Sequence, residues 1–130
     1  MATWADLMRH VKTNYKISDE RPGFIKLLFG FGEGRSQLVF LFLAKLLDET
    51  EEWVQIESPI AKADSVNLRD VLDQVGGMVC GALAVRHGIL VLRHTLPLAN
   101  FDTNEFERPL ILVTTSADKL EKQFSSGDVF

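Results

Sequence analysis

Two apolar runs, FIKLLFGF and RSQLVFLFLAKLL, flank a glycine turn between residues 24 and 47. Glycine supplies the positive φ that tight turns need, so the stretch predicts a β-hairpin. In its first strand Ile25, Leu27, Phe29 and Phe31 form one alternating set; Phe24, Lys26, Leu28 and Gly30 form a weaker set that tolerates water. The second strand is apolar on both sets: Leu38, Phe40, Phe42, Ala44 and Leu46 against Val39, Leu41, Leu43, Lys45 and Leu47. A half-exposed strand keeps one set polar. Both faces of this strand therefore need a cover, from the chain itself or from a partner.

The flanking pattern supplies three helices. Residues 3–14 carry Trp4, Leu7, Met8, Val11 and Tyr15 at helical spacing behind a Thr3 cap with Asp6 three residues on. Residues 64–75 place Leu68, Val71, Leu72 and Val75 on one side, with Asp64, Ser65 or Asn67 as cap and Gly76-Gly77 as the stop. The last segment carries LILVTT, a strand-like composition, at residues 110–115. Phe106, Leu110, Val113, Ala117, Leu120 and Phe124 nevertheless keep an unbroken helical step, and Asp102 with Glu105 gives a capping signature. The period predicts a helix with a distortion at Pro109.

Strands fill the rest. Residues 15–18 read as a short edge strand and 18–23 as a polar turn; 48–52 form an acidic loop. Residues 53–60 alternate as a strand with Trp53, Gln55 and Glu57 on its wetter face and Pro59 at its end or on an edge. A second hairpin, 78–86 and 89–94, turns at His87-Gly88, and its small residues Cys80, Gly81, Ala82 and Ala84 call for a close neighbour, expected to be a helix. The class is α+β: an antiparallel sheet of about five strands with three helices in the order α-β-β-β-α-β-β-α, in one domain over residues 1–130. Three helices suffice for one sheet face. The other face needs a second subunit or a client unless the last helix crosses over to shield it.

Composition narrows the function by exclusion. The 130 residues are 46% hydrophobic and 25% charged, an ordinary globular balance, and the net charge of −4 with no basic cluster argues against nucleic acid. The first residues lack a signal-peptide core, the apolar run 38–44 is too short to span a bilayer as a helix, and the single Cys80 suits a reducing compartment. The expectation is a cytoplasmic protein without membrane insertion. The glycine stretch 30–36 leads from strand to strand and lacks the Gly-Lys-Ser/Thr ending of a phosphate loop. His10, His87, His94 and Cys80 do not assemble a metal set or a nucleophile–base pair, and the acidic pairs Glu51/Glu52 and Asp102/Glu105 read as loop and cap. No cofactor, metal or catalytic residue is expected, and the chain reads as a non-enzyme.

Leu92-Arg93-His94-Thr95-Leu96-Pro97-Leu98-Ala99-Asn100, followed by Thr115-Ser116-Ala117-Asp118-Lys119-Leu120, resembles the YbjN family. These are small bacterial proteins sharing the fold of type III secretion chaperones, including the Tir-chaperone (CesT) group. The resemblance implies a non-enzymatic, chaperone-like homodimer that holds a client segment on apolar surface. Candidate client contacts are Phe24 and Trp53 on the wetter sheet face, with Phe40 and Phe42 between them; the dimer is expected through Leu68, Val71 and Leu72 and the last hairpin. The alternative is a small-ligand or sensory-transduction regulatory domain, with an apolar pocket between helices and sheet and Arg93 and His94 at its mouth.

Overall fold

Residues 3–32, 34–79, 81–100 and 102–125 are described by a computed structural model. Helix α1 (Trp4–Asn14) leads into β1 (Ile17–Arg21), β2 (Phe24–Gly32), β3 (Arg35–Leu46) and β4 (Glu51–Lys62). A 3-10 turn (Ala63–Ser65), α2 (Leu68–Val75), β5 (Ala82–Arg86), β6 (Ile89–Pro97) and α3 (Thr103–Phe124) complete the order. The six strands form one antiparallel sheet in the order β1-β2-β3-β4-β6-β5. Among the described residues the class is α+β with three helices, and the sheet has one more strand than expected. The strand outside that count is β1, the short edge strand read at residues 15–18, which forms at Ile17–Arg21. The polar stretch 18–21 continues the edge strand rather than forming a turn, pairing down to Arg21 with Phe24. An edge strand has one neighbour, so charged side chains cost it little and discourage further pairing.

Local chemistry explains the helix ends. The side-chain oxygens of Thr3, Asn67 and Asp102 accept the amides of Asp6, Asp70 and Glu105 at 3.2, 3.2 and 3.0 Å. The second helix starts later than its pattern predicts, because extended Val66 separates it from the turn that contains Asp64 and Ser65. Helix α3 runs through Pro109 without a break. Proline withholds the amide that would reach the carbonyl of Glu105, an exposed residue whose carbonyl water can serve. The threonines of LILVTT adapt to the helix: Thr114 and Thr115 donate their hydroxyls to the carbonyls of Leu110 and Ile111 at 2.6 and 2.8 Å. No helix among the described residues is long and apolar enough to cross a membrane.

All three helices lie on the same side of the sheet. One core joins Leu7 and Val11 of α1, Val71 of α2, and Phe106, Leu110, Val113, Ala117 and Leu120 of α3 to a single alternating set from the sheet. That set is Ile25 and Leu27, Val39 and Leu41, Val54 and Ile56, and Leu90 and Leu92. The long last helix does not cross to the other face. The helices are pinned at their edges by polar contacts: Glu107 accepts from Tyr15 Oη and pairs with His10 Nε2, and Arg35 donates to Asp118 at 2.9 Å.

Two sequence expectations change. Pro59 does not end a strand; it lies inside β4, which is central, at a register shift between Pro59 and Ala61. The β3–β4 pairing ends at Phe40 and Glu57, two residues short of Pro59, which has no N–H to give. The Ser58 hydroxyl donates to the Leu38 carbonyl instead, at 2.7 Å, and Gln37 Nε2 donates to the Pro59 carbonyl at 2.7 Å. Side chains thus complete the ladder. In the second hairpin, β5 begins only at Ala82, and the close neighbour of Gly81 is a side chain of the sheet rather than a helix. With φ of 108°, a Cβ at Gly81 would stand 2.9 Å from Leu92 Cδ1. Cys80 and Glu33 lie outside the described residues. The turn at His87 (φ 50°) and Gly88 (φ 78°) has the left-handed pair that two-residue hairpins favour.

Candidate functional site: the open face of the sheet

The sheet face turned away from the helices is set by the pairing register. Phe24 stands opposite Phe42 and Lys26 opposite Phe40; Phe40 stands opposite Glu57, and Ala44 opposite Trp53. Glu57 then faces Arg93, Pro59 faces Val91, and Arg93 faces Ala82 at the far edge. The four candidate contacts Phe24, Phe40, Phe42 and Trp53 therefore share one face, and no described helix packs on it. Their side chains are half-buried by one another and by their strand neighbours.

Three of them form a ring cluster. Phe24 stands 5.1 Å from Phe42 and 6.0 Å from Phe40 between centroids, and Phe40 and Phe42 are 6.3 Å apart. These are the spacings of mutually attractive aromatic pairs. Trp53 is one row away and donates Nε1–H to Glu51 Oε1 at 2.9 Å. Beside the rings, Phe40, Pro59, Arg86, His87, Ile89 and Val91 line an apolar depression of about 210 Å³.

The polar centre of this face was not singled out by sequence reading. Glu57 is fully buried. Its Oε1 accepts Arg86 Nε at 2.8 Å, and its Oε2 accepts Arg86 Nη2 at 2.9 Å and Arg93 Nε at 2.7 Å. Burial alone would push the Glu57 carboxyl up; hydrogen bonds and charge from Arg86, then from Arg93, outweigh it and hold the carboxyl below the usual glutamate value. The bond to Glu57 raises the Arg86 value in turn. The Arg86 guanidinium also lies 4.5 Å from the Phe42 ring centroid, a cation–π contact that joins the polar centre to the ring cluster. The only sequence signal was alternation, which puts Glu57 on the face of Trp53; its arginine partners depend on a register the sequence does not state.

Arg93 and His94 cannot share a pocket mouth. Successive strand residues point to opposite faces, so Arg93 reaches Glu57 on the open face while His94 faces the helices. Burial lowers the His94 pKa. The expected dimer patch is also rearranged. Leu68 and Leu72 are 43% and 57% exposed, but Val71 is fully buried in the core and is unavailable to a partner. Val85 on the edge strand β5 is 54% exposed and joins the two leucines around a shallow depression of about 140 Å³. Among the described residues, no group of three or more His, Cys, Asp or Glu is placed to hold a metal ion.

No protein-family model matches the chain, and no curated protein matches it.

Proposed function

We propose that this chain is a non-enzymatic, chaperone-like binding module that holds an extended or amphipathic protein segment on the open face of its sheet. The observation that carries this reading is the placement of all three helices on one face while Phe24, Phe40 and Phe42 cluster on the other. A strand apolar on both sides is costly in water unless both sides find cover. The helix and strand order, with β1 added, also suits the resemblance to YbjN proteins and secretion chaperones. On this reading the protein works in the cytoplasm as a homodimer. Leu68, Leu72 and Val85 give the two copies an apolar contact beside β5, an edge strand among the described residues, on the opposite sheet face from the phenylalanines.

Random-peptide display against the immobilised protein tests the proposal. Enriched peptides are synthesised and titrated against the wild type and Phe40→Ser. The reading expects binding that Phe40→Ser weakens by about tenfold, the loss that follows removal of a buried aromatic anchor. Enriched peptides that bind both proteins equally would refute it.

A further inference from the structure

We infer that the segment held by the open face presents an Asp or Glu side chain, flanked by apolar residues, to the Arg86–Arg93 pair. This inference rests on the proposed protein-binding role of that face and adds the chemistry of its partner. Two guanidinium groups share one carboxylate. Arg86 uses Nε and Nη2 on Glu57, and Arg93 uses Nε alone. Among the described residues, Arg86 Nη1 and both terminal amino groups of Arg93 make no other hydrogen bond. The two side chains are 37% and 32% exposed, so these donors are open to solvent and to a ligand.

The excess positive charge is local. The chain as a whole carries −4, yet at this point one fully buried carboxylate is outnumbered two to one by cations. Glu57 also fixes the donors in place, and Phe42 supports Arg86 from beneath, so little side-chain freedom is lost when a second carboxylate arrives. Planar guanidinium groups favour carboxylates, which they can bind through paired N–H donors. The apolar depression lined by Phe40, Pro59, Ile89 and Val91 includes Arg86 in its wall. An acidic residue seated on the arginines therefore places its apolar neighbour over that depression. A peptide fits better than nucleic acid, because two cations around a carboxylate are too few to follow a phosphate backbone.

The test uses peptides enriched on the wild-type protein, synthesised with amidated C-termini so that side chains supply the only carboxylates. Each acidic residue is exchanged for its amide, and affinities are measured by fluorescence anisotropy. The acidic form is expected to bind about tenfold tighter than the amide form, as for one charge-assisted bond. Arg93→Met, which leaves both Arg86 bonds to Glu57 intact, should abolish that preference while keeping the dependence on Phe40. Equal binding of acid and amide forms to the wild type, with Phe40 still required, would overturn the acidic-residue inference and leave the binding role standing. Loss of the Phe40 dependence would overturn both.

Discussion

Replacing Glu57 by Gln puts the energetics of the open face to a direct test. The carboxylate accepts three charge-assisted hydrogen bonds within 2.9 Å and has no exposure to water. Bonds to charged groups contribute roughly 1.5–3 kcal/mol each. Two corrections reduce the sum. Arg86 and Arg93 are about a third exposed, so water screens the pair and can receive the released guanidinium groups. The variant also no longer bears the cost of burying a charge, and its amide oxygen keeps one acceptor. A net loss of about 2–3 kcal/mol remains, equivalent to a Tm lower by roughly 8–12 °C for a domain of this size. Urea denaturation at several pH values reads the effect. The folded pKa of Glu57 is depressed, so its contribution is complete above the unfolded value, near pH 4.3, and is lost as pH falls through the folded value. The gap between wild type and Glu57→Gln should therefore be full above about pH 5 and close in acid. A gap under about 0.5 kcal/mol at neutral pH, or one that persists unchanged in acid, would refute the assignment of Glu57 as the ionised centre of this face.

Three further outcomes follow from other parts of the fold. Gly81→Ala forces a side chain into φ of 108° and against Leu92, and should cost about 2 kcal/mol or more in chemical denaturation. The depressed folded pKa of His94 means that the unfolded chain takes up a proton there first, so stability is fully retained above about pH 6.5 and falls as pH drops below it. His94→Gln should flatten that slope between neutral pH and about pH 5 in thermal melts. Leu72→Glu charges an exposed position on α2, so sedimentation should show monomer for the variant and dimer for the wild type, with unfolding stability within about 0.5 kcal/mol of the wild type at dilutions where the latter has dissociated; a monomeric wild type at high concentration would exclude the dimer.

The elements whose signals are local were legible in the sequence. Thr3 and Asp102 announced their helices through capping chemistry, and the period from Phe106 to Phe124 outweighed the strand-like composition of LILVTT. The two-sided apolar character of β3 was equally plain: Val39 and Leu41 lie beneath the helices, while Leu38, Phe40 and Phe42 lie on the open face. Sequence could not show which face the helices would choose. Nor could it place Pro59 inside a central strand, because the rescue by Ser58 and Gln37 joins residues about twenty positions apart. Glu57, Arg86 and Arg93 come from three strands, and only the register β4-β6-β5 makes them neighbours. Val71 looked like its exposed neighbours on α2, and packing alone separates it from them.

The most direct measurement of the central claim maps a display-selected peptide onto the protein by isotope-edited NMR with labelled phenylalanine rings and Leu/Val methyl groups. Alternation along the strands makes these probes face-specific. The account predicts intermolecular contacts to Phe24, Phe40, Phe42, Leu28 and Leu38, with none to Leu27, Val39, Leu41 or Leu92, which lie under the helices. Contacts confined to the α2–β5 groove or to the exposed Ile111 and Leu112 of α3, with the open-face rings unperturbed, would contradict it.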